Sequence, residues 1–179
     1  MIVRLIKGLE SISVFIGWIG AWVIAPLVLS MVYEVVARHV FNAPTFWAYE
    51  IGYMLAGTCY LFGMAYCMKQ KGHVRVDFLY DQIGPKWRAI IDIGGYIFLL
   101  MPGLLWLNWG LFGYAVESFY SGEVSGESAW NPVIWPFRAV WVVAFAVLAL
   151  QTIAEILKSY LILTGQIEEQ VTDHHGAEI

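Results

Sequence analysis

Four long stretches of the chain carry no charged residue, and the segments between them are short and polar. The uncharged runs are Ser11–Tyr33 (23 residues), Ile51–Met68 (18), Ile93–Val116 (24) and Ala139–Ala154 (16). At 1.5 Å of rise per residue, about 20 apolar residues in a helix cross a hydrocarbon core of about 30 Å. The first run exceeds the apolar region of a signal peptide and reads as a retained first helix. The second is lengthened by Phe46, Trp47 and Tyr49 as interfacial anchors. The fourth must borrow from Val133–Phe137, with Arg138 snorkelling outward. The pattern predicts an all-α integral membrane fold of four transmembrane helices, with kinks at Pro26 and Pro102.

The polar segments refine this outline. In EVVARHVFNAPTFWAYE, Asn42 and Pro44 favour a turn, so the first two helices form a tight hairpin. Glu34 precedes Arg38 by one helical turn, in the favourable orientation for an ion pair. Between the second and third spans, Val76, Leu79, Tyr80, Ile83, Trp87 and Ile90 recur at three- and four-residue steps beside a stripe of Asp77, Asp81, Arg88 and Asp92. That pattern suits an amphipathic helix lying in the membrane interface. Gly84 interrupts it, and Pro85 starts a new helix. After the third span come the turn-rich YSGEVSGES and then WNPVIWPFR, whose tryptophans mark an interface.

Composition agrees with lipid as the solvent. The 179 residues are 60% hydrophobic and 13% charged, with a mean hydropathy of +0.66, which does not suit a water-facing surface. The net charge of −4 comes with no basic cluster of nucleic-acid spacing, so nucleic acid is excluded as a partner. Lys and Arg set the orientation. Arg4, Lys7, Lys69, Lys71, Arg75, Lys86, Arg88 and Lys158 fall on one side, against Arg38 and Arg138 on the other, so both termini are expected in the cytoplasm. Residues 1–163 form the membrane domain, and 164–179 form a polar, disordered cytoplasmic tail. Cys59 and Cys67, eight residues apart on one helix, lie about 12 Å apart and cannot bridge.

Little in the spans can do chemistry. Asn108, Gln151, Thr58 and Ser30 are their polar residues, and bonding between helices accounts for each. Charges at membrane depth are expensive and mark ion pathways, yet the centres of all four spans lack them. Haem ligation needs facing histidines, whereas His39 and His73 sit at opposite ends. No nucleophile with a base, phosphate loop or metal spacing is present, so no enzyme activity, cofactor or metal is expected. Gly17, Ala21 and Ala25 recur at every fourth position, a small-residue face for close helix packing. The chain reads as one built to pack and to hold something else. Two other readings stay open: a redox subunit that passes electrons to quinone, and a small transporter that works alone as a homo-oligomer.

Three motifs carry a resemblance. They are Arg38-His39-Val40-Phe41-Asn42-x-Pro44-x-x-Trp47-x-x-Glu50, then Gly72-His73-Val74-Arg75-Val76-Asp77, then Trp135-Pro136-x-Arg138 with Gln151 in the last helix. Over about residues 5 to 162 the chain resembles the small membrane subunit of tripartite ATP-independent periplasmic (TRAP) transporters. The resemblance implies a bacterial inner-membrane carrier that takes up organic acids with a sodium gradient. In such a carrier a periplasmic binding protein delivers substrate, a large permease subunit moves it, and the small subunit braces the large one. It also implies contacts with partner or lipid at Arg38, Asn42, Pro44, Trp47, Glu50, Gly72, His73, Arg75, Asp77 and Arg138. Within that set, Arg38 and Glu50 either pair across the outer hairpin or contact a partner.

Overall fold

A computed structural model describes residues 2–70 and 84–165. They form helix α1 (Ile2–Val40), α2 (Ala48–Lys69), α3 (Pro85–Gly95), a π-helical turn (Tyr96–Leu100), α4 (Met101–Ser121) and α5 (Trp135–Leu163). Four helices are long and apolar enough to cross a membrane: α1, α2, the continuous stretch Lys86–Ser121, and α5. Each runs beyond its uncharged segment, because backbone hydrogen bonding continues to the next turn or cap, whereas the apolar run ends at the first charge.

The amphipathic helix expected after the second span falls mostly on residues 71–83, outside the described residues. Its later part, with Trp87, Arg88 and Ile90, is the beginning of the third span. Pro85 stands in the first turn of α3, as a residue without an N–H can. α1 is helical through Pro26. The irregularity near Pro102 lies just ahead of it, where the Met101 N–H donates to the Tyr96 carbonyl in a π turn. Proline cannot donate, and a π turn absorbs the mismatch in the ladder.

α5 is the central helix. Of its most apolar stretch 44% is buried, against 6% for the third span, and it touches all the others. Small and hydroxyl residues make this possible: Ala144, Thr152, Ala154 and Ser159 are buried along it. The main apolar core joins Ala65 and Met68 of α2 to Leu104 of α4 and to Val147 and Leu148 of α5.

α1 and α2 run antiparallel. A Cβ on Gly17 would meet Tyr66, one on Gly20 would meet Phe62, and one on Gly52 would meet Met31. The buried residues of α1 are Ile6, Ser13, Gly20, Ser30 and Ala37. Ile6, Ser13 and Gly20 stand seven apart, as do Ser30 and Ala37, which is the period of a left-handed helix seam. Within the chain the four-residue face Gly17, Ala21, Ala25 is divided. Gly17 abuts α2 within the chain, while Ala21 and Ala25 are exposed.

Candidate functional site: polar clasps at the two ends of the bundle

At the C-terminal end of α1, Glu34 gathers the hairpin. Its carboxylate accepts from Arg38 Nε at 2.8 Å, from the Thr45 N–H at 2.9 Å and from the Thr45 hydroxyl. Asn42, at φ 50°, reverses the chain, a conformation that asparagine tolerates better than most residues. The Ala43 N–H then reaches the Ala37 carbonyl at 3.0 Å. Trp47 stacks on Tyr33 with centroids 5.5 Å apart. Pro44 lies exposed in the loop. Of the two readings for Arg38 and Glu50, the pair across the hairpin does not form: Arg38 takes Glu34, one turn before it on the same helix face, as the spacing of those two residues predicts.

Glu50 has a different partner. It is fully buried and accepts a hydrogen bond from the Ser128 hydroxyl. Ser128 belongs to the loop between the third and fourth spans, which closes on itself. Gly122 ends α4 in the left-handed region at φ 63°, the Ser125 N–H donates to the Pro132 carbonyl at 2.9 Å, and the Ile134 N–H to the Glu123 carbonyl at 3.1 Å. Asn131 closes the tip by accepting from the Gly126 N–H at 2.7 Å.

This loop also holds Arg138, which does not snorkel outward as expected. Its side chain is only 5% exposed. The guanidinium donates through both terminal nitrogens to the Glu123 carboxylate and to the Tyr114 hydroxyl at 2.5 Å. A two-pronged carboxylate suits a planar guanidinium better than the interface does. Aromatic rings pack around the same end, with Tyr53, Phe137 and Trp141 meeting edge to face, a belt of the kind found at membrane interfaces.

At the other end a second cluster links α1 to α5. Lys158 bridges Glu10 of α1 and Glu155 of its own helix at 2.8 Å. Glu155 also accepts from the Gln151 amide at 2.8 Å, while the Gln151 Oε1 is buried without a partner among the described residues. Thr152, beside it, donates to the Leu148 carbonyl at 2.8 Å. Bonding between helices is not what satisfies Ser30 and Thr58. Each donates to its own helix backbone, at Leu27 and Met54 respectively. Asn108 lies half-buried on α4, one helical turn after the buried Leu104. The motif residues Gly72, His73, Arg75 and Asp77 are outside the described residues.

The roles of Ser128, Glu123, Tyr114 and Glu10 were not read from the sequence, because their partners are distant along the chain. The Glu155–Lys158 pair could have been found from its three-residue spacing next to Gln151. Cys59 and Cys67 are free thiols. Among the described residues, no group of three or more His, Cys, Asp or Glu is placed to hold a metal ion.

Four apolar helices, tied at both ends by polar side chains, define a multi-pass membrane protein. Compared with known families, the sequence matches "Tripartite ATP-independent periplasmic transporters, DctQ component" over residues 27–161. That is well over half of the chain, which therefore belongs to this family of TRAP transporter small components. The family is one of transport components rather than enzymes. No curated protein matches the chain.

Proposed function

We propose that this chain is the small subunit that braces the large permease subunit of a TRAP transporter, in a bacterial inner membrane with both termini in the cytoplasm. The transporter imports organic acids as carboxylates by symport with sodium, and a periplasmic binding protein supplies them. Residues 1–163 act as the membrane domain, and 164–179 follow as a polar tail. The observation that carries this reading is the family match over residues 27–161. The third span supports it, because most of its flank has no cover among the described residues. Trp109 of that span is 82% exposed, and Trp106 and Phe98 are similarly open. Such a flank suits a neighbouring protein helix or lipid. Arg38, Asn42, Pro44, Trp47, Glu50 and Arg138 shape the outer end that a partner would meet, and Gly72, His73, Arg75 and Asp77 contact partner or lipid at the inner one.

The experiment is uptake of labelled carboxylates by transport-deficient cells. Cells with this chain, the large subunit and the binding protein together should accumulate substrate only with a sodium gradient, and the chain should copurify with the large subunit. Uptake by this chain alone would sink the bracing reading and favour a self-sufficient carrier.

A further inference from the structure

Where α1 begins and α2 finishes, a cleft of about 460 Å³ opens on the surface of the bundle. Its rim is polar, with Lys7, Glu10 and Ser11 from α1 and Lys69 from the last turn of α2. Its wall is apolar, with Val14, Phe15 and Trp18. Among the described residues of this lining Glu10 is the one carboxylate, and Lys158 already holds it. Lys7 and Lys69 have no ion pair among the described residues, so the rim offers two lysines without a direct carboxylate partner there, beside a cluster in which Lys158 is shared by Glu10 and Glu155.

The spacing sets the size of the guest. Lys7, Ser11, Val14, Phe15 and Trp18 follow one stripe of α1 at three- and four-residue steps. From Lys7 to Trp18 the helix rises about 16 Å, close to the roughly 15 Å of hydrocarbon in one leaflet. A small anion would use the rim and leave the wall empty, and a zwitterionic lipid would set a cation of its own beside the lysines along with its phosphate. We propose that the cleft binds an anionic phospholipid, with its phosphate between Lys7 and Lys69 and one acyl chain along Val14, Phe15 and Trp18. Basic pockets between helix ends have this chemistry in other membrane proteins. Such a lipid ties the ends of α1 and α2 together from outside, next to the Glu10–Lys158 pair that ties α1 to α5. The site concerns this chain's own side chains, holds for whichever leaflet that end occupies, and stands apart from the transport reading.

The test is native mass spectrometry of the full chain in detergent micelles, with phosphatidylglycerol, phosphatidylcholine or inorganic phosphate added. One phosphatidylglycerol should be retained in preference to phosphatidylcholine. Retention should weaken about 30-fold in the Lys7→Gln/Lys69→Gln variant, equivalent to about 1 kcal/mol for each lysine, and should persist in Lys7→Arg/Lys69→Arg. Helicity by circular dichroism checks that the variants fold. If the Gln variant does not fold, the wild-type chain decides: high salt should release the phosphatidylglycerol without loss of helicity. Equal retention by the Gln variant, equal retention of phosphatidylcholine, or displacement by inorganic phosphate would each overturn the proposal. So would loss of the lipid on assembly with the large subunit, which would give the cleft to a protein partner.

Discussion

Gly17 of α1 and Tyr66 of α2 approach so closely that a Cβ on Gly17 would lie 2.8 Å from the Tyr66 Cβ. A Cβ is fixed to its backbone, so no rotamer change relieves that contact, and a larger residue must push the two helices apart. We expect Gly17→Leu to destabilise the bundle by about 1–3 kcal/mol, the usual range for overpacking, read as a lower thermal midpoint in detergent. Ala21→Leu, at an exposed position, should stay within about 0.5 kcal/mol of wild type. An unchanged midpoint for Gly17→Leu would show that α1 and α2 do not pack in this register.

The Arg138 clasp predicts an asymmetry between its two charges. Removing Arg138 leaves Glu123, whose side chain is 41% exposed and can be hydrated. Removing Glu123 leaves a guanidinium that is 5% exposed with the Tyr114 ring and hydroxyl as its company. Breaking a buried pair costs about 3–5 kcal/mol when the remaining charge is stranded, and the half-exposed partner pulls the cost toward the lower end. Glu123→Ala should therefore destabilise more than Arg138→Met. Both should speed hydrogen exchange in the 122–134 loop, where Ser125 and Ile134 donate to the backbone across the turn. Equal midpoints for the two variants would contradict the burial of Arg138.

These residues also show what the sequence could reveal. Four spans were legible because charge is expensive in lipid, so charged positions mark where spans stop. The Asn42 turn and the Glu34–Arg38 pair were legible because both are local. Helix packing was not. A stripe such as Gly17, Ala21, Ala25 looks the same whether it meets another helix or lipid, since both are apolar, and the seam through Ser13, Gly20, Ser30 and Ala37 emerged only with the partner helix in place. The clasps around Glu50 and Arg138 were hidden for a related reason: Glu50 and Ser128 are 78 residues apart in the chain, and no periodicity links them. Arg138 was misread because a lone arginine at a span's edge usually snorkels. The folded loop instead carries Glu123 to it.

Orientation has its own measurement. By the order of the four spans, the sequence assigns eight of its ten Lys and Arg residues to the side of the termini, which predicts that this side faces the cytoplasm. With Cys59 and Cys67 replaced by alanine, a membrane-impermeant thiol reagent added to intact cells should label Glu127→Cys. It should label Gln70→Cys only after the cells are broken. Both positions are exposed in the fold, so access depends on the membrane alone. The reverse pattern would overturn the orientation.

The Lys158 cluster makes a prediction about compensation. Lys158 is held between two carboxylates, Glu10 and Glu155, and Glu155 is itself buried beside Gln151. Lys158→Met would leave both acids without a cation in a partly desolvated corner, which should cost about 3–5 kcal/mol. If the loss comes from stranded charge, removing the acids as well should restore stability. The triple variant Glu10→Gln/Glu155→Gln/Lys158→Met should thus be more stable than Lys158→Met alone, although it has lost more of the native contacts. If Lys158 acts chiefly through packing of its long side chain, the three substitutions should add and the triple variant should be the least stable. Thermal midpoints of the four proteins, namely wild type, Lys158→Met, Glu10→Gln/Glu155→Gln and the triple variant, decide between the two, and simple additivity would remove the ion cluster as the tie between α1 and α5.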